Sequence, residues 1–254
     1  MPRCQRTFRR LSQGETVPGT GVRRWACPHC CEAEVYQAVR DADLNEYARL
    51  AYEDCVTDFG PPPGDAAWPT VLVLGLRPEC VRETDEKRYD LYLQTGSDPW
   101  QLRLQIGHET FHRVCSQGRV FHWTHEMFAC LVSVRLLRRF GLSDYAEKRE
   151  REWQTEAALL PVAALRDTNL WVGAPYPPGL YGRAYATGAR LVEAVGWRWL
   201  CALARARPPS GGTPDVNAWL AALPHEALAR ALAVLASDDD PPAAARRVPT
   251  QQVE

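Results

Sequence analysis

The sequence predicts an α+β protein, mostly helical, with a small sheet packed on one helix and a helical C-terminal part. Three observations carry that expectation. Segments 69–75 and 88–94 read as short strands, the first an apolar run bounded by turn formers and the second alternating. Most of the remaining chain repeats apolar residues every three or four positions. Between strands and helices lies His108-Glu109-Thr110-Phe111-His112, in a segment of helical character that begins at a capping Ser97-Asp98-Pro99.

In chain order, residues 1–26 read as irregular and basic, with Gly14, Pro18, Gly19 and Gly21. From Glu32 to about Phe59 the apolar spacing (Val35, Ala38, Val39, Leu44, Tyr47, Ala48, Ala51, Tyr52) predicts one or two helices. Gly60-Pro61-Pro62-Pro63-Gly64-Asp65 ends them. The motif helix is expected from 99 to 116, with Trp100, Leu104, Phe111 and Cys115 as its buried stripe and His108 and His112 at the edge of that stripe. A second helix is expected from 121 to 140, closed by Gly141, with Arg135, Arg138 and Arg139 in its last turns. Ser143 can cap a third, charged helix to about 160. After a rigid loop at 173–180, a fourth helix from 181 to 206 carries the stripe Tyr181, Tyr185, Gly188, Val192, Val195 and Trp199. A linker at 208–212 precedes two short helices opened by Pro214 and Pro224, and the tail from Ser237 is expected to be disordered. The corresponding division is 1–64 as a basic, cysteine-containing segment with helices, 65–160 as the core, 161–236 as a helical subdomain and 237–254 as tail.

Composition narrows the function classes. At 46% hydrophobic and 24% charged residues, the 254-residue chain is ordinary for a globular protein. A net charge of -1 argues against a broad nucleic-acid footprint, since the arginine-rich start has no aromatic platform beside it. No window of about 18 apolar residues predicts a membrane span, and the N-terminus lacks the apolar core of a signal peptide, so the expected location is cytoplasmic. Nine cysteines are then expected to be mostly free thiols, with Cys115, Cys130 and Cys201 buried among apolar residues.

The chemistry is concentrated in 18 residues that hold four of the six histidines. Residues four apart on a helix share a face, so His108 and His112 can reach one metal ion while Glu109, to one side, can activate a water on it. That pairing suits zinc hydrolysis, and catalytic zinc asks for a third protein ligand. The candidates are His122, His125 and Glu126.

Trp123-Thr124-His125-Glu126-Met127-Phe128-Ala129 resembles the W-x-x-E-G-x-A segment of the gluzincin metallopeptidases, especially their peptidase-MA-like branch, in which the glutamate completes the zinc site. Tyr185-Ala186-Thr187-Gly188 is similar to the family's Y-x-x-G. The likeness covers about residues 69–206, in the family's order. It implies a zincin-like fold, with zinc on His108, His112 and Glu126, Glu109 as general base and Tyr185 stabilising the oxyanion during peptide-bond hydrolysis. A peptide or protein is the implied partner, with segment 88–95 as the cleft edge pairing with it. Three departures stand out: a short interval from His112 to Glu126, Met127 in place of glycine, and no G-x-M-E-N signature, which argues against an aminopeptidase. A non-catalytic binding or regulatory protein on the same fold is the alternative. His122 is the rival third ligand, and His125 can serve behind Glu126 or face a substrate. Cys27-Pro28-His29-Cys30-Cys31 holds one C-x-x-C pair without a second, so a structural metal there lacks a full ligand set.

Overall fold

The computed structural model describes residues 9–10, 22–26, 33–62, 67–75, 77–116, 122–166, 176–206 and 214–237, with backbone alone for those before 39. The cysteine cluster at 27–31, the linker at 208–212, most of the basic start, the 117–118 turn and the tail after Ser237 lie outside the described residues.

The architecture is α+β and mostly helical, as expected, but its sheet is larger than two strands. Strands β1 (Arg9–Arg10), β2 (Val22–Ala26), β3 (Ala33–Ala38), β4 (Thr70–Gly75), β5 (Glu79–Glu83) and β6 (Arg88–Gln94) form one sheet in the order β1-β2-β3-β4-β6-β5. Only β4 and β6 run parallel, in the register Thr70↔Tyr89 through Gly75↔Gln94. Residues 22–26 and 33–38, expected as irregular and helical, are strands because β3 pairs with β2 on one side and with β4 at Gln37↔Leu74 on the other. That pairing supplies backbone partners that a six-residue helix would leave unmet. β5 escapes sequence reading because three of the five residues Glu79-Cys80-Val81-Arg82-Glu83 are charged. It closes a hairpin onto β6 around Lys87, at φ 48°.

Eight α-helices are described: α1 (Ala42–Phe59), α2 (Pro99–Phe111), α3 (Trp123–Arg139), α4 (Ser143–Ala157), α5 (Leu180–Val195), α6 (Trp197–Arg205), α7 (Val216–Ala222) and α8 (His225–Ala236). Three boundaries differ from expectation. The motif helix is α-helical only to Phe111, and His112–Ser116 continue as a π-helical turn. The long fourth helix breaks at Gly196, whose φ of 83° no β-carbon tolerates well. Ser143 opens α4 but does not cap it; Leu142 precedes it without a side-chain bond. Trp100 does not join the buried stripe of α2. It is 44% exposed, with the Arg103 guanidinium 5.5 Å from its ring, while Leu104, Ile106 and Phe111 face the core.

One apolar core runs between sheet and helices, centred on α3, which is buried along nearly its whole length. Two glycines set the helix spacing. A β-carbon on Gly107 would lie 3.0 Å from the Ser133 Cα, so its absence brings α2 close to α3. A β-carbon on Gly188 would lie 2.6 Å from Met127 Cγ and 2.8 Å from Leu131 Cδ1. Met127 thus fills the space that Gly188 leaves opposite it on α5. The three arginines ending α3 are held by acids rather than by the helix dipole alone. Arg135 pairs with Asp58 and Arg139 with Asp54, both on α1, and Arg138 pairs with Glu150 on α4. No helix among the described residues is long and apolar enough to cross a membrane.

Gly188→Leu should therefore destabilise the fold by about 1–3 kcal/mol through overpacking. Met127→Ala in the same chain should recover part of that loss. Denaturant midpoints of the two single variants and the double variant measure both effects; strict additivity would contradict the Gly188–Met127 contact.

Candidate metal centre

α2 is fixed at its start and along one face. Asp98 caps it, accepting from the backbone N–H groups of Trp100 at 2.9 Å and Gln101 at 2.7 Å, with Pro99 in the first turn. Buried Gln105 accepts the Gln94 N–H at 2.9 Å and donates to Ser97 Oγ at 3.3 Å, so the helix is pinned to the end of β6. At His112 the backbone widens into the π turn, which carries Arg113 toward the sheet. Arg113 donates to the Trp68 carbonyl at 2.5 Å and to Thr70 Oγ1, and lies 3.8 Å from the Tyr52 ring centroid. The π turn, a feature frequent at functional sites, is thereby anchored directly after the second histidine of the motif.

Across the core, His122 caps α3. Its Nδ1 accepts the Thr124 N–H at 3.3 Å and lies 2.6 Å from Thr124 Oγ1. Burial lowers the His122 pKa to about 4, which keeps the ring neutral and able to accept. His122 is thus occupied as a cap. Glu126, four residues on, is the group that α3 delivers to the histidines.

The three side chains converge. His108 Nε2 lies 3.0 Å from Glu126 Oε2, His112 Nε2 lies 3.4 Å from Glu126 Oε1, and the two Nε2 atoms are 3.2 Å apart. Among the described residues this is the one group of three or more histidine, cysteine or acidic side chains close enough to hold a metal ion together. Ligands at about 2.0–2.1 Å in tetrahedral geometry stand about 3.3 Å apart, and the observed edges bracket that spacing. Hydrogen bonding alone serves the triangle poorly. A neutral imidazole has one N–H, and a carboxylate only accepts. With one Nε2 protonated, two acceptors face each other along one edge; with both protonated, two donors face each other at 3.2 Å. A shared cation satisfies all three groups at once. The donor set of two nitrogens and one oxygen suits zinc.

Burial would raise the Glu126 carboxyl, but the charge of His112 and the hydrogen bonds of both imidazoles outweigh it and hold the group well below the usual carboxylate range. Glu109 is the opposite case. Burial pushes its carboxyl up to about 8, against the pull of His112, with Glu126 and Glu79 adding to the rise. The Glu109 carboxylate accepts the backbone N–H of Cys80 on β5. Among the described residues β5 is an end strand of the sheet, and it passes beside the general-base candidate. Segment 88–95 cannot be the cleft edge expected for it, because β6 is paired on both sides.

Tyr185 does not reach this cluster as expected. Its hydroxyl donates to Glu150, which also takes Arg138, and its ring lies against Trp153 at 5.1 Å. It ties α3, α4 and α5 together in the core. Tyr181, one turn earlier, packs its ring edge-on to His108 at 5.9 Å, and Tyr176 lies edge-on to Tyr181 at 5.8 Å. Burial raises the Tyr181 hydroxyl well above its usual pKa, which keeps it a proton donor. Tyr181 shares a helical stripe with Tyr185, and it is Tyr181, not the Tyr185 of the Y-x-x-G likeness, whose ring lies beside His108. Gly188, the other half of that likeness, is explained by packing. His125 is 1% exposed and stacks behind the site, 6.5 Å from Phe111 and 6.1 Å from His122. Cys115, Cys130 and Cys201 are buried free thiols, as expected.

Compared with protein-family models, curated proteins and solved structures, the chain matches none.

Metal analysis of purified protein should find about one zinc per chain. His108→Ala and Glu126→Ala should abolish it, and His122→Ala should retain it at some cost in stability. Loss of metal in the His122 variant with retention in the Glu126 variant would reverse the assignment of the third ligand.

Proposed function

We propose that this chain is a zinc-dependent peptide-bond hydrolase of gluzincin type, with Glu109 as its general base. The observation that carries this reading is the triangle of His108, His112 and Glu126, with 3.0–3.4 Å edges, beside a buried carboxyl held by an edge strand. Zinc held there supplies a polarised scissile carbonyl and a water whose pKa is lowered to about 7.

The chain's own residues do the rest. Glu109 accepts a proton from the attacking water and passes it to the departing nitrogen. The Cys80 N–H fixes the carboxylate that performs both transfers. The raised pKa of Glu109 suits a group that must hold a proton between the two steps. Tyr181, whose ring lies against His108, is assigned the donation to the developing oxyanion first expected of Tyr185. β5, an end strand of the sheet among the described residues, offers main-chain partners to an extended peptide substrate.

Two kinetic outcomes follow. Glu109→Gln should keep its metal and lose about 10²–10⁴-fold in kcat; undiminished turnover would remove the general-base assignment. Tyr181→Phe should lower kcat by about 10²-fold with little change in KM. Tyr185→Phe should instead lower stability by about 1–3 kcal/mol, because Glu150 loses a buried partner, with kcat retained. The reverse pattern would restore Tyr185 to the site.

A further inference from the structure

A groove of about 410 Å³ opens beside the metal cluster, in the size range of small-ligand pockets. Its walls are largely apolar: Tyr176, Pro177, Pro178 and Leu180 from the start of α5 and the loop before it, with Tyr181 and the exposed Leu159. Tyr181 belongs to both places. One contact of its ring is His108 at 5.9 Å and another is Tyr176 at 5.8 Å, so a single aromatic wall joins groove and cluster. Among the described residues, Glu156, in the last turn of α4, is the one charged residue lining the groove. Among the described residues its carboxylate has no hydrogen bond and no ion pair, unlike Glu150 in the same helix, which takes Arg138 and Tyr185. Glu156 is held in place by backbone packing: a β-carbon on Gly182 would come 2.7 Å from its Cβ.

An uncompensated carboxylate in a groove walled by tyrosines and prolines is complementary to a long apolar stem that ends in a cation. The stem packs on the rings, the charge gains a cation–π contact on the way in, and the head meets the carboxylate. Lysine and arginine side chains have this build. We propose that the groove is a specificity subsite for a basic side chain of the substrate, next to the bond cleaved at the metal cluster, and that Glu156 selects it. The cleavage half of this inference rests on the hydrolase reading; the binding half does not.

Two measurements separate the halves. In the first, the zinc-loaded Glu109→Gln protein is titrated with N-acetyl-lysine amide and, in parallel, with N-acetyl-norleucine amide, which keeps the stem and lacks the charge. The lysine compound should bind about tenfold tighter, and Glu156→Gln added to the same protein should erase the difference. Equal affinity of the two compounds would overturn the subsite. In the second, the wild-type chain cleaves an octapeptide library in which one position at a time is lysine, arginine, norleucine or glutamate. The lysine-to-norleucine ratio of kcat/KM should be about tenfold at one position beside the cleaved bond, carried mainly by KM. Glu156→Lys should turn that preference toward glutamate. Cleavage without a basic preference would remove the subsite and leave the hydrolase reading standing. A Glu156-dependent lysine preference in binding, without cleavage of any peptide, would keep the subsite and remove the hydrolase reading.

Discussion

Two imidazole nitrogens and the two oxygens of one carboxylate, from two helices, meet at contacts of 3.0–3.4 Å in a nearly dry setting, and the supports around them are rigid. Two imidazole nitrogens and a carboxylate cannot all satisfy each other through the hydrogens they own. Their closeness suits a shared cation. The fold meets this constraint with rigid supports on both helices.

On α2 the supports are Asp98 at the start, Gln105 in the middle and the π turn with its Arg113 anchor at the end. On α3 they are the His122 cap and the three arginine pairs at the far end. Gly107 and Gly188 set the distances between α2, α3 and α5, so the ligands meet without long side-chain reaches. The sheet contributes its edge. By accepting the Cys80 N–H, Glu109 is fastened to β5, an end strand of the sheet among the described residues.

Much of this was legible in the sequence because it depends on local patterns. The i, i+4 spacing of His108 and His112, the Asp98-Pro99 start and the position of Glu126 early in the next helix are all short-range signals, and the structure brings these residues together. What was not legible depends on long-range partners. Residues 33–38 carry a helix-like pattern but become a strand through pairing with β2 and β4. β5 is too charged to be read as a strand, yet it is the edge beside Glu109. Tyr181 and Tyr185 are equivalent on a helical wheel. Glu150, arriving from α4, takes the Tyr185 hydroxyl in the core, while the Tyr181 ring borders His108. The same holds for His122 and Glu126: both lie in the right stretch, and the need to cap α3 draws one away.

The most direct test of the central claim is the coordination shell of the metal, read by X-ray absorption at the zinc edge on protein purified with zinc. The account predicts a shell of nitrogen and oxygen at about 2.0–2.2 Å, with the multiple-scattering signature of two imidazoles and no sulfur. A sulfur shell at about 2.3 Å would move the metal to the cysteines and contradict it, as would zinc bound with no imidazole signature.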